Sequence, residues 1–247
     1  MIATIEHLKG TFKIDLSNPI DLAMPLRAGE QNANAWYRPA VTMEPVRMGD
    51  WVGDVSKGGA VNFRDIWFNP HAHGTHTECV GHISKEFYSI NESLKQFFFL
   101  AKLITISPES HEGDLVITEQ QLKTAMSSDC EAIIIRTLPN DDSKLIRHYS
   151  NSNPPYLHYL AAELLCKNNV QHLLLDLPSV DREQDEGKLL AHRAFWNYPT
   201  QTRINATITE LIYVDNSITD GNYLLNLQIA PFENDATPSK PVLFKLL

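Results

Sequence analysis

Asn69-Pro70-His71-Ala72-His73-Gly74-Thr75-His76-Thr77-Glu78-Cys79-Val80-Gly81-His82 holds four of the ten histidines in this 247-residue chain. Even scatter would place fewer than one in the span from His71 to His82. Imidazoles packed this densely beside a carboxylate are the donor set of a borderline divalent metal such as Zn²⁺ or Mn²⁺. In an extended chain, residues two apart face the same way, so His76 and Glu78 can address one ion. Gly74 allows the tight turn that would bring an earlier histidine alongside them. The Thr75 hydroxyl can satisfy neighbouring backbone or support a ligand. A polar loop of exposed histidines is the plain alternative. The density around Gly74-Thr75, with Glu78 at the right offset, favours a metal site.

Outward from this stretch, the second half of the chain alternates strand and helix. Ala132 to Ile135 is a β-branched run expected to form a buried strand. Thr118 with Gln121 three residues later predicts a capping box and a helix over Thr118 to Ser127. Pro155 fits an early turn of a helix running from Tyr156 to Lys167, with Leu157, Leu160, Ala161, Leu164 and Leu165 at helical spacing. Leu173 to Leu177 predicts a second buried strand, and Leu211 to Val214, Tyr223 to Ala230 and Val242 to Leu247 three more. The amino-terminal half reads as β-rich. Gly29 to Gly59 lacks a clear period, which suggests a substrate wall or lid, or else a hairpin. No repeat or linker divides the chain, so one α/β domain with a mixed sheet is expected over residues 1–247.

Composition narrows the function classes. With 21 Lys+Arg against 30 Asp+Glu, the formal charge is −9. That balance argues against nucleic acid or an anionic membrane as partner. No apolar run approaches the ~20 residues of a membrane span. Cys79, Cys130 and Cys166 form no paired spacing, and the amino terminus has no secretory pattern, so a cytoplasmic location is expected. Cys79, beside Glu78, is expected to pack rather than ligate, because adjacent residues of an extended chain point apart. Ser179 has no base-and-acid partners in sequence, which argues against a serine hydrolase. Asp181 could support a metal-bound histidine or cap a turn. For Trp36, Tyr37, Trp51 and Trp67, core packing is favoured over a substrate wall.

The motif resembles the signature of the cyclase family, metal-dependent hydrolases that include bacterial kynurenine formamidase and isatin hydrolase. That signature reads His-x-Gly-Thr-His-x-Asp with a further His four residues on. Gly74-Thr75-His76-x-Glu78 and His82 match it in register, with Glu78 in place of Asp. Asp15-Leu16-Ser17-Asn18-Pro19 is similar to the family's opening strand, and Ala132 to Thr137 to its central strand ending in Arg-Thr. Asp176-Leu177-Pro178-Ser179-Val180-Asp181 resembles its Asp-x-Pro-Ser-Val-Asp turn. His192 and Glu210 stand where the family has a late His and a late Glu. The residue four before His76 is Ala72; His71 lies five before and His73 three before. His71 is favoured as the early ligand, because His73 adjoins Gly74 where the family is variable. The family's Trp-Pro-Gly segment reads Arg27-Ala28-Gly29 here, and the 18 residues from His192 to Glu210 suggest an insertion around Trp196 to Ile204.

The resemblance implies a swivelling β/β/α-type domain and a site for two divalent ions, Zn²⁺ or Mn²⁺. His71, His76 and Glu78 would take one ion and His192 the other, with Glu78 and Glu210 available to bridge. It implies hydrolysis of an amide, formamide or cyclic amide by metal-activated water, with His82 as acid/base. A lactone hydrolase, or a metal- or small-ligand-binding protein that has lost turnover, are the alternatives. A small-molecule substrate and a homodimer or homotetramer are expected.

Overall fold

The computed structural model describes residues 1–126 and 130–247. Eight strands build the main sheet: β1 (Ile20–Asp21), β2 (His76–Glu78), β3 (Phe98–Ile106), β4 (Ala132–Thr137), β5 (His172–Leu175), β6 (Thr207–Glu210), β7 (Gly221–Ile229) and β8 (Ala236–Lys245). Their order is β7-β3-β4-β5-β6-β2-β8-β1, and pairing of β7 with β8 closes the sheet into a barrel. β3, β4, β5 and β6 are mutually parallel; the other pairs are antiparallel, so the sheet is mixed as expected. Among the described residues, three helices of seven to nine residues accompany it, α1 (Glu119–Ala125), α2 (Tyr159–Lys167) and α3 (Leu190–Trp196), beside a single helical turn at Ile90–Ser93.

Alternation explains why the central strands read as continuous apolar runs. Ile133, Ile135, Leu173, Leu175 and Ile208 pack outward against Leu122, Ala161, Leu165, Phe195 and Trp196 of the helical layer. Ala132, Ile134 and Leu174 face the other way, onto Leu103, Tyr223, Leu225 and Leu243. Both faces are buried, so a polar residue on either would cost free energy. Among the described residues no helix is long and apolar enough to cross a membrane.

Several elements differ from expectation. The capping box at Thr118 and Gln121 is present, but α1 ends at Ala125, and Ser127 lies outside the described residues. Tyr156–Leu157 is not helical: it forms a short strand parallel to Val116–Ile117, and α2 starts after it, capped by the His158 ring, which accepts the N–H of Leu160. Pro155 therefore precedes a strand rather than opening a helix. Leu211 to Val214 is not a strand either; β6 stops at Glu210, where Leu211 takes a left-handed φ of 53°. Leu211, Ile212 and Val214 are buried in the core, and Ile212 makes an isolated bridge to Ala23 rather than a strand. β8 begins six residues before the expected Val242 and ends at Lys245. Trp196, expected near an insertion, is fully buried at the end of α3, its indole N–H donating to the Ala206 carbonyl at 2.9 Å.

The region from Gly29 to Gly59 proves to be short antiparallel pairs joined by loops. Thr42–Pro45 pairs with Arg64–Trp67, and Arg47–Met48 with Trp51–Val52. Tyr37 and Trp67 are exposed and Trp51 is half-buried, against the core-packing expectation, whereas half-buried Trp36 packs on the cluster of Met24, Ala35 and Tyr149 as expected. Trp51 and Trp67 lie on the short strand pairs and Tyr37 on a turn.

Candidate metal centre

β2 supplies the centre of the site. Gly74, at φ 70°, turns the chain into the strand, and the Thr75 hydroxyl donates to the Leu211 carbonyl at 2.5 Å while accepting the Met24 N–H at 2.8 Å. His76 and Glu78 then share one face of β2, and Thr77 points the other way to bond Thr209 at 2.8 Å. β6 runs alongside in a register that sets Glu210 opposite His76. The parallel strands β5 and β6 run their carboxyl ends into this region.

His71, His76, Glu78, His192 and Glu210, the five expected ligands, converge with His82. Glu78 Oε1 meets His192 Nε2 at 3.0 Å, while Glu78 Oε2 lies 3.1 Å from His71 Nδ1 and 3.9 Å from His82 Nε2. His76 Nε2 is 3.3 Å from Glu210 Oε2, and His192 Nε2 is 4.0 Å from Glu210 Oε1. The Val180 N–H steadies Glu210 by donating to Oε1 at 3.0 Å. His73 is not part of the cluster: its Nε2 faces the Pro39 carbonyl and its Nδ1 accepts the Asn69 N–H. His71 is thus the early histidine at the site. Cys79 is buried with its thiol against the Tyr88 carbonyl, and packs as expected.

Asp181 fills both roles considered for it. Its Oδ1 accepts the Ala191 N–H at 2.7 Å and its Oδ2 the His192 N–H at 3.1 Å, which satisfies the first turn of α3. The same Oδ2 meets His192 Nδ1 at 2.6 Å, so the opposite ring nitrogen turns towards Glu78. Sequence reasoning missed Asp235, whose Oδ2 lies 2.7 Å from His71 Nε2 and 3.3 Å from His82 Nδ1. Asp235 is 157 residues from Glu78, and pairing of β2 with β8 is what brings it in; no spacing in the sequence signals it.

The electrostatics fit a cation. Burial opposes charge on His71 and His192, but the carboxylates of Asp235 and Glu78 push His71 up to about 10, and those of Asp181 and Glu78 raise His192 well above its ordinary value. Burial likewise opposes charge on Glu78, yet His82, His192 and His71 hold it well below the usual carboxylate range. Protons on imidazoles therefore occupy the place where a divalent ion would balance the same carboxylates. Two atoms make the fit specific. Among the described residues, His76 Nε2 and Glu78 Oε2 are buried without a hydrogen-bond partner, a costly state that coordination would relieve. His71, His76 and Glu78 offer donor atoms within 4.8 Å of one another, as do Glu78, His82 and His192. A cavity of 390 Å³ opens onto the cluster, walled by Trp36, Arg38, Arg182 and Leu189.

Solved structures share this architecture. One, described as a potential metal-dependent hydrolase with cyclase activity, is 14% identical over 92% of this chain and 97% of its own, with a TM-score of 0.67. Isatin hydrolase A from Labrenzia aggregata is 14% identical over 92% of this chain and 93% of its own, with a TM-score of 0.64. Isatin hydrolase A from Ralstonia solanacearum is 12% identical over 92% and 91%, with a TM-score of 0.60. At these identities the likeness establishes the fold. A search of curated protein sequences gives no match. The Cyclase family model, however, matches residues 14–182, a span that holds the histidine cluster and Asp181 and stops short of His192 and Glu210. The chain belongs to the cyclase family.

Proposed function

We propose that this protein is a metal-dependent hydrolase that cleaves the C–N bond of a formamide or cyclic amide. One observation carries the reading. Three imidazoles from separate elements converge on Glu78 and Glu210, and two of the buried donor atoms, His76 Nε2 and Glu78 Oε2, have no hydrogen-bond partner among the described residues. A bound Zn²⁺ or Mn²⁺ would lower the pKa of water towards ~7 and polarise a carbonyl. The two donor groups sharing Glu78 support two ions per chain, with Glu210 in reach of both His76 and His192.

The protein's own groups do the rest. An amide nitrogen leaves poorly until it is protonated, and His82 borders the cavity with Nε2 towards Glu78. Imidazole is the side chain most often used to move a proton near neutrality. Trp36 offers a flat apolar wall to an aromatic substrate and Arg38 a cation at the rim. The cavity falls within the range of about 300–1,000 Å³ common for small-molecule sites. The isatin hydrolases among the structural neighbours make isatin the first cyclic amide to try, with N-formyl anilines of the kind kynurenine formamidase takes, and lactones, beside it.

Self-association to a homodimer or homotetramer is part of the proposal. Phe63, Ile66 and Trp67 are exposed on a two-stranded arm, and such an isolated pair of strands is marginal without a covering surface.

The deciding experiment is elemental analysis of chelator-free protein with turnover measured on those substrates. His76→Ala should lose metal, whereas His82→Ala should keep it and lose rate. Protein that takes up neither Zn²⁺ nor Mn²⁺ would sink the proposal. Loss of metal in His82→Ala would make His82 a ligand instead of the acid/base.

A further inference from the structure

Each imidazole at the site has one ring nitrogen turned to the carboxylates of Glu78 or Glu210 and the other held from outside. For His192 the outer partner is Asp181, and for His76 it is the Gly74 carbonyl at 3.1 Å. For His71 and His82 it is a single atom, Oδ2 of Asp235. The two rings stack with centroids 4.2 Å apart and planes 30° apart, so one oxygen reaches both.

Asp235 is itself held in place. The Cys79 N–H donates to its carbonyl at 3.0 Å, and the Ile90 N–H to that of Asn234 at 2.8 Å. The Asn234 side chain donates to the Ala236 carbonyl at 2.9 Å. Gly81 keeps the approach open, because a Cβ there would lie 3.2 Å from the Asp235 Cβ and 2.2 Å from the Tyr88 carbonyl oxygen. The carboxylate therefore sits at a fixed height beside the carboxyl end of β2.

We propose that Asp235 is a positioning residue for two groups at once. It fixes a proton on Nε2 of His71, leaving the Nδ1 lone pair to face the site beside Glu78. It also fixes a proton on Nδ1 of His82, leaving Nε2 to face the cavity. A carboxylate on the outer nitrogen sets tautomer and ring orientation together. Asp235 could alternatively ligate an ion with His71 and His82, whose donor atoms lie close enough to it. The unpartnered atoms His76 Nε2 and Glu78 Oε2 argue otherwise, because Glu78 lies on the Nδ1 side of His71 and Asp235 on the Nε2 side. Sharing one oxygen makes the two histidines interdependent, so displacing Asp235 should disturb ligand and acid/base in a single step. Of the site's imidazoles, Asp181 touches His192 alone.

The inference rests on the metal-hydrolase reading for what the inward nitrogens do, and the test separates the two. Zn²⁺ affinity is measured by chelator competition for wild type, Asp235→Asn, Asp235→Ala, Asp235→Glu and His76→Ala. Side-chain ¹⁵N spectra of the zinc-loaded proteins report the tautomers. Asp235→Asn and Asp235→Ala should bind Zn²⁺ about 10–100-fold more weakly. The His82 signal should change from a single Nδ1–H tautomer to a mixture, and Asp235→Glu should recover part of both. Melting in chelator separates lost metal from lost fold, and Asp235→Asn, which keeps the side-chain shape, carries the test if Asp235→Ala does not fold. Zinc binding lost in His76→Ala but unchanged in the Asp235 variants, with the His82 tautomer intact, would overturn the positioning role and leave the metal centre standing. Wild-type protein that takes no zinc would overturn both.

Discussion

Replacing Lys144 by Met should be among the most destabilising single changes available outside the candidate site. The Lys144 side chain is 2% exposed and its ammonium donates to four acceptors: Asp176 Oδ2 and the Thr137 carbonyl at 2.7 Å, Thr137 Oγ1 at 3.0 Å and Asn140 Oδ1 at 3.1 Å. Asp176 is fully buried, and without Lys144 it keeps only the N–H and hydroxyl of Thr137, at 2.9 and 2.8 Å. Breaking a buried pair while one charge remains costs about 3–5 kcal/mol. In a domain of this length that is a fall in Tm of about 6–20 °C. Burial already raises the Asp176 carboxyl above its ordinary value despite Lys144. A raised folded-state pKa favours the fold at low pH and the advantage is lost as pH rises, so the variant's deficit should be smaller at pH 5 than at pH 8. The assay is urea unfolding in chelator at both pH values, for Lys144→Met, Asp176→Leu and the double variant. The double variant removes both charges and should recover most of the loss. A Lys144→Met cost below about 1 kcal/mol, the worth of an exposed pair, or a double variant no better than the worse single, would refute the reasoning.

Asp181→Asn should weaken Zn²⁺ binding about 10–100-fold by releasing His192, and should lower stability in chelator by about 1 kcal/mol through the first turn of α3; titration with Zn²⁺ beside unfolding in chelator checks both, and unchanged affinity would remove Asp181 from the site. Zn²⁺ binding to the metal-free protein should release protons, because His71, pushed up to about 10, holds one at neutral pH. Affinity should therefore rise with pH below that value, by about tenfold per unit for each proton displaced, and calorimetry in two buffers that gives no net release would contradict this. His172, whose burial and whose neighbour Arg203 push it down to about 3 from 6.5, stays neutral in the fold. The unfolded chain takes up the proton first, so stability should fall as pH drops from 6.5 towards 3, by up to about 1.4 kcal/mol per unit. Equilibrium unfolding of His172→Gln should show a flatter slope across that window, and an identical slope would count against the assignment.

The elements legible in the sequence are those whose local pattern agrees with their tertiary setting. Ala132 to Ile135 is β-branched and buried on both faces, so its pattern and its environment give the same answer. Thr118 and Gln121 close their capping box with no help from the rest of the chain. The misreadings share a cause. Leu211 to Val214 is apolar because it is buried, and its left-handed first residue cannot be seen in composition. Tyr156 and Leu157 continue the apolar period of α2 yet pair with Val116 and Ile117, a partner about 40 residues away whose register no local pattern encodes. The aromatics Tyr37, Trp51 and Trp67 are size without address: side-chain volume favours the core, but a surface turn and two short strand pairs carry them.

The candidate site follows the same rule at finer scale. His76 and Glu78 could be paired from alternation alone, because two residues on one face of one strand need no tertiary information. His192 and Glu210 could be added only through resemblance, since α3 and β6 deliver them from elsewhere in the fold. Asp235 and Lys144 escaped both routes. Each is an ordinary charged residue whose importance comes from what it touches: Asp235 two stacked imidazoles, Lys144 a carboxylate with no access to water. That division has a physical basis. Groups that meet an ion must be of a few chemical types at close spacing, which leaves a trace in the sequence. Groups that hold those ligands need only an acceptor or donor at the right point in space, and any strand or turn that reaches that point can supply it. The outer partners here illustrate this: a backbone carbonyl for His76, an aspartate capping its own helix for His192, and an aspartate from the turn before β8 for His71 and His82.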